Sequence, residues 1–126
     1  MKKSQYTVLI ADSDAESREN MKSRFSKEGF RVFSVDSGKD AIACVTKRNT
    51  DIAVIDVVLK DIEGFKIVPI IKEINKNIRV IMTTSINFVE LEGKCREVGI
   101  LYYAIKPLDY NILVDVVKRA FEKHPC

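Results

Sequence analysis

At 126 residues, 46% hydrophobic and 31% charged, the chain is long enough for one domain with a sizeable core and too short for two. Its 21 basic and 18 acidic residues leave a net charge of +3, and no basic run or basic-aromatic stripe accompanies it, so nucleic acid is not an expected partner of these residues. No apolar run approaches the ~18–20 residues that cross a bilayer. Lys2-Lys3 leads into a strand-like segment ending in acids, not into the apolar core of a signal peptide. Cys44, Cys95 and Cys126 are odd in number and far apart, which fits reduced thiols in the cytoplasm and neither a redox pair nor a disulfide framework. The one histidine, His124, stands beside the C-terminus and leaves no histidine for a metal site or a catalytic triad.

Strand-like and helix-like segments alternate from the start. Val8-Leu9-Ile10-Ala11 is a short apolar run that ends in Asp12-Ser13-Asp14. Asp14 suits the N-cap of a helix over 15–27, with Met21 and Phe25 on its inner face and Gly29 as its stop. A second strand is expected over 30–35, then a turn at Asp36-Ser37-Gly38 and a helix over 39–48 with Ala41, Ile42 and Val45 inward. Ile52-Ala53-Val54-Ile55 is apolar and mostly β-branched, which reads as a strand buried on both faces, and it ends in Asp56.

A loop carries the chain to Gly64, and an isoleucine-rich helix follows to Ile74. Pro69 pushes its expected start toward Val68, because proline in a helix interior costs about 3 kcal/mol. A fourth strand over 79–83 runs into Thr84-Ser85. Phe88, Leu91, Cys95 and Val98 share one helical face, closed by Gly99. Leu101 to Ile105 is a fifth strand that ends in Lys106-Pro107. The last helix starts near Asp109 and carries an apolar stripe of Ile112, Leu113, Val116, Val117, Ala120 and Phe121. Five strands alternating with five helices predict a doubly wound α/β fold, a parallel sheet with helices on both faces.

The polar residues that interrupt the strands fall at matching places: Asp12 and Asp14, then Asp56, Thr84 with Ser85, and Lys106. In a parallel sheet these ends converge on one edge, where ligands and chemistry sit. Clustered carboxylates raise one another's pKa unless a cation stands among them. Oxygen-only ligands favour a hard divalent ion such as Mg²⁺. A cation, a lysine and a hydroxyl around one carboxylate are what in-line phosphoryl transfer to that carboxylate requires, with Asp56 as nucleophile. Each residue also has a structural use: caps for Asp12 and Asp14, turn residues for Thr84 and Ser85, a solvated lysine for Lys106.

From about Tyr6 to Phe121 the chain resembles a receiver domain of bacterial two-component response regulators. The resemblance rests on Val8–Asp12, on Asp51–Asp56 with Gly64 eight residues on, on Val80–Ser85, and on Tyr103-Ala104-Ile105-Lys106-Pro107. It implies one receiver domain over 1–126 with a core of about 6–121. The implied fold is a flavodoxin-like (βα)5 sheet of strand order 2-1-3-4-5. Asp56 would take a phosphoryl group from a histidine kinase or a histidine phosphotransfer protein. Mg²⁺ would be held by Asp12, Asp56 and the backbone carbonyl of Val58. Thr84 would be the switch hydroxyl, Lys106 its cationic partner, and Tyr103 the aromatic that moves inward. The fourth helix, fifth strand and fifth helix would carry the signal to an output domain or partner, and a homodimer through that face is an expected form.

The chain departs from the family's pattern at three points, the last of them a pair of residues. Ser13 stands where a second acid usually follows Asp12, which should weaken Mg²⁺ binding unless Asp14 or a water substitutes. Lys60 replaces a common proline and adds positive charge near the pocket mouth. Val58 and Ile86, two beyond Asp56 and Thr84, are apolar and should slow loss of the phosphoryl group. Two other readings compete. A haloacid-dehalogenase-like phosphatase would use Asp12 as nucleophile and Asp14 as acid/base, but it leaves Asp56 unexplained and lacks the later acidic pair. A receiver-like interaction module that is never phosphorylated would treat Ser13 as decay of the metal site. A flavin carrier of the same fold would need a hydroxyl-rich, glycine-containing phosphate loop in place of the acids after the first strand.

Overall fold

The computed structural model describes residues 5–122; Lys2, Lys3, His124 and Cys126 lie outside them. Ten elements alternate along the described residues. They are β1 (Thr7–Ala11), α1 (Ala15–Lys27), β2 (Arg31–Val35), α2 (Gly38–Lys47) and β3 (Ile52–Asp56), then α3 (Gly64–Ile74), β4 (Arg79–Thr84), α4 (Val89–Glu97), β5 (Tyr102–Ile105) and α5 (Tyr110–Ala120). The strands form one parallel sheet in the order β2-β1-β3-β4-β5. β1 and β3 are buried throughout, as their unbroken apolar runs require of strands covered on both faces.

Side chains alternate across the sheet and feed two cores. Leu9, Ala53, Ile55, Val80 and Met82 pack beneath α2, α3 and α4, together with Val45, Ile71 and Leu91. Val8, Ile10, Ile52, Val54 and Ile81 pack with Met21 and Phe25 of α1 and Leu113 and Val117 of α5. The chain leaves β1 toward β2 and returns on its other side as β3. That reversal opens a crevice at the C-terminal ends of β1 and β3.

Helix ends follow ordinary capping chemistry. Asp14, Ser37 and Asp109 accept the backbone N–H groups of Glu16, Asp40 and Ile112. Gly29 and Gly99 follow helices at φ +98° and +80°, a region that favours glycine. The Asp61 carboxylate, in the β3–α3 loop, accepts from Gly38 and Lys39 at 2.7 and 3.0 Å. Those N–H groups hold its carboxyl below the usual range. The loop is thereby tied to the start of α2.

The structure departs from the sequence reading at three apolar positions. α3 begins at Gly64 and not near Val68, so Pro69 lies well inside it. Pro69 is on the exposed side of the helix, where solvent can serve the carbonyl that loses its N–H partner. Phe88 is not part of a buried face; it precedes α4 and is half exposed. Ile112 is likewise exposed, because Leu113, Val114 and Val117 take the inward positions of α5. Several ends also move by one residue. β4 extends to Thr84, while β2 and β5 begin at Arg31 and Tyr102.

Gly64 is required by close approach. Its N–H donates to the Val57 carbonyl at 2.6 Å. A Cβ there would collide with the backbone carbonyl oxygen of Asp56 and lie 2.9 Å from the Ile55 side chain. Gly64→Ala is therefore expected to destabilise the fold by about 2–3 kcal/mol, read as a lower urea midpoint at unchanged slope.

Candidate functional site

The C-terminal ends of β1, β3, β4 and β5 deliver four polar side chains to the crevice. Alternation decides which ones. Ile10 and Val54 face the α1–α5 side, and so do Asp12 and Asp56 two residues on. Thr83, two beyond Ile81, shares that side and is the register partner of Asp56. Lys106, reached by the same alternation from Tyr102, completes the set.

The Lys106 ammonium bridges the two acids, 2.9 Å from Asp12 Oδ2 and 2.6 Å from Asp56 Oδ2. Both carboxylates are buried, at 1% and 5% exposure. Asp12 Oδ1 accepts the Asp14 N–H at 2.9 Å, and Asp56 Oδ1 accepts the Val58 N–H at 2.8 Å. Thr83 Oγ1 donates to Asp56 Oδ2 at 3.2 Å. Arg18 donates to the Asp12 carbonyl at 2.8 Å and pins the turn into α1.

Burial pushes the Asp56 carboxyl above the usual carboxylate range, and the Asp12 charge adds to the rise; Lys106 and the Val58 N–H oppose it without cancelling it. Burial pulls the Lys106 ammonium down, but its hydrogen bonds to Asp56 and Asp12 and their charges leave it above its ordinary value. Two carboxylates and one ammonium leave the cluster net negative.

Thr84 is not the hydroxyl that meets Asp56. It projects from the opposite face of β4, where its Oγ1 accepts the Ile86 N–H at 3.0 Å and donates to the Ile86 carbonyl at 2.7 Å. The neighbouring threonine, Thr83, takes the place expected of it. The signal that finds Thr83 is its in-phase position with Asp56 across paired strands, not its nearness to the strand end. Tyr103 belongs with Thr84 on the other face, buried in the core beneath α4. Its hydroxyl is enclosed without a hydrogen-bond partner among the described residues.

The expected metal ligands do come together. Ser13 Oγ donates to the Val58 carbonyl at 3.2 Å, which brings that carbonyl to the β1 end beside Asp12. Asp14 does not join them: it is exposed and committed to the cap of α1. No group of three or more histidine, cysteine or acidic side chains with metal-holding placement exists among the described residues. The donors present are two carboxylates, a carbonyl and a hydroxyl. That set is all hard oxygen and fits a Mg²⁺ ion that keeps several of its waters. Lys60 does not charge the pocket mouth; its ammonium pairs with Asp36 at 2.9 Å.

Removing the ammonium would leave two buried like charges facing each other. Lys106→Met is expected to cost about 3 kcal/mol or more. Adding Asp56→Asn should recover over ~1 kcal/mol, a non-additivity read from a double-mutant cycle of urea melts. The raised Asp56 value means the folded chain keeps a proton that the unfolded chain has already lost, so this group's contribution to stability falls as pH rises from the ordinary carboxylate range. Asp56→Asn alone should melt higher than the parent at neutral pH, with the gap closing as pH falls toward 3.8. Tyr103→Phe should stabilise the domain by about 1 kcal/mol, because it removes an unsatisfied buried hydroxyl at nearly constant shape.

The family model for the response regulator receiver domain matches residues 8–118. Sporulation initiation phosphotransferase F of Bacillus subtilis is 31% identical over 112 residues, 89% of this chain and 90% of that protein. The DNA-binding transcriptional regulator NtrC of Azospirillum brasilense is 30% identical over 118 residues, which make up 94% of this chain and 24% of that longer protein. Among solved structures, the BeF3-activated DrrB receiver domain superposes with a TM-score of 0.87 at 27% identity, covering 95% of this chain and all of that one. A chain of the CheX-CheY-BeF3-Mg complex from Borrelia burgdorferi gives 0.85 at 27% identity, covering 94% of this chain and 90% of that one. With its 2-1-3-4-5 sheet and its acid-lined crevice, this chain belongs to the response regulator receiver domain family.

Proposed function

We propose that Asp56 accepts a phosphoryl group from a histidine kinase or histidine phosphotransfer protein, and that the domain works as a switch rather than a turnover enzyme. The observation that carries this reading is the Lys106 ammonium placed against both Asp12 and Asp56 in the β1–β3 crevice. In the transfer, an Asp56 carboxylate oxygen attacks phosphorus as the P–N bond to the donor imidazole breaks. Lys106 neutralises charge that gathers on the phosphoryl oxygens, and burial keeps competing water out. Thr83, already bonded to Asp56 Oδ2, is the hydroxyl placed to turn to a phosphoryl oxygen. When bound by Asp12, Asp56 and the Val58 carbonyl, Mg²⁺ would supply further neutralisation of those oxygens.

The readout face in this proposal is α4, β5 and α5. Val89, Ile105 and Ile112 are exposed there, and a homodimer or an output partner would cover them. The chain spans about a quarter of the NtrC relative, so an output domain would lie outside these residues. No helix among the described residues is long and apolar enough to cross a membrane. A second reading, a receiver-like module that is never phosphorylated, draws on the Ser13 hydroxyl occupying the Val58 carbonyl where a second acid would stand.

Intact mass after incubation with Mg²⁺ and a small acyl-phosphate donor separates the two readings. One added phosphoryl group is expected in the parent and none in Asp56→Asn. Thr83→Ala should slow the gain by about 10-fold or more, in keeping with loss of a charge-assisted hydrogen bond, whereas Thr84→Ala should leave it nearly unchanged. No gain at any Mg²⁺ concentration would favour the phosphorylation-independent module. With Thr83 in the switch place, the residue two beyond it is Ser85 and not Ile86, so Val58 alone supplies the expected apolar screen. The phospho-form should still outlast minutes on that account, and a half-time of seconds in the isolated domain would count against that. Ser13→Asp is expected to tighten Mg²⁺ binding about 10-fold, measured by calorimetry.

A further inference from the structure

The opposite end of the sheet carries a feature that phosphoryl transfer does not use. Below the N-terminal ends of β1, β2 and β3 lies a basin of about 390 Å³, within the size range of small-molecule sites. Three cations line it: Arg31 at the start of β2, Lys47 in the last turn of α2, and Arg48 at its C-cap. Among the described residues none of the three enters an ion pair. The one carboxylate in the basin, Asp51, is turned to the backbone, where Oδ2 accepts the Thr7 N–H at 2.7 Å.

A solvated basic surface is the plain alternative. The α2 dipole accounts for Lys47 and Arg48, since cations favour a helix C-terminus. It does not account for Arg31, which arrives from a different element. Nor does it account for Arg48 being held over the Phe33 ring, 4.1 Å from its centroid. That contact restrains a guanidinium that would otherwise be free to move, which lowers the entropy lost when it grips a ligand. Three cations against the single Asp51 carboxylate leave the concavity net positive, a repulsion that a bound anion would relieve. Guanidinium forks match phosphate oxygens in shape and charge. The basin is much larger than a phosphate ion, so the fitting ligand is an organic phosphate.

We propose that this basin is a second ligand site, which binds a small phosphate ester through Arg31, Lys47 and Arg48. It lies at the far edge of the sheet from Asp56 and is independent of phosphorylation there. The test is a titration of the ¹⁵N-labelled full chain with adenosine monophosphate and, separately, with inorganic phosphate, at constant ionic strength. Saturable amide shifts are expected at residues 31–33 and 47–51, with the ester binding more tightly than the free ion. Arg31→Gln/Lys47→Gln, both exposed positions, should weaken ester binding about 10-fold or more while the thermal midpoint holds. Phe33→Leu keeps every charge and should weaken it by a smaller factor through loss of the Arg48 restraint. Shifts confined to Asp12, Asp56 and Lys106, no saturation, or a response unchanged in the double variant would overturn the proposal. Equal affinity for phosphate and ester would overturn the assignment to an organic phosphate.

Discussion

The ammonium of Lys106 stands between two carboxylates that would otherwise oppose each other across the crevice. Burying one charge is costly, and burying two of the same sign in contact is not sustainable without a cation. The contact therefore ties the ends of β1, β3 and β5 together, although β5 is two strands away from β3. It also keeps Asp56 enclosed with one oxygen on the Val58 N–H and the other shared by Lys106 and Thr83. A carboxylate so held is desolvated and oriented before any ligand arrives.

The loops around the crevice are organised to maintain that arrangement. Arg18 and the Asp14 N–H fix the turn after β1. Ser13 links that turn to the β3–α3 loop through the Val58 carbonyl, and Gly64 lets α3 begin directly against the Asp56 backbone. Asp61 then anchors the same loop to α2. These bonds are individually modest. Together they set the position of Val58 and Asp56 relative to Asp12, which is the geometry that a hard cation or a phosphoryl group would read.

The two faces of the sheet carry different duties. Asp12, Asp56, Thr83 and Lys106 project to the α1–α5 side, while Thr84 and Tyr103 project to the side of α4. The buried Tyr103 hydroxyl and the Thr84 hydroxyl bonded to Ile86 thus belong to the α4 side of the sheet. Thr83 and Thr84, adjacent in sequence, are separated by the thickness of the sheet. The β4 backbone that these two residues share and the β5 segment from Tyr103 to Lys106 both join the Asp56 side of the sheet to the α4 face.

Much of this was written locally in the chain. Unbroken apolar runs at 8–11 and 52–55 determine strands buried on both faces, and capping residues at Asp14 and Asp109 determine where helices begin, because these depend on neighbours a few residues away. The alternation of elements determines a parallel sheet, and with it the convergence of Asp12, Asp56 and Lys106 on one edge. Other outcomes depended on register and packing. Which of two adjacent threonines meets Asp56 was decided by the phase of β4 against β3, and a strand's phase is set by the core it packs into. Pro69 was kept inside α3 by the burial of Phe65, Ile67, Val68 and Ile71, which outweighs one missing hydrogen bond. Ser13 alone reads as a lost charge. Only the fold, by bringing the β1 end against the β3–α3 loop, gives its hydroxyl the Val58 carbonyl as a partner.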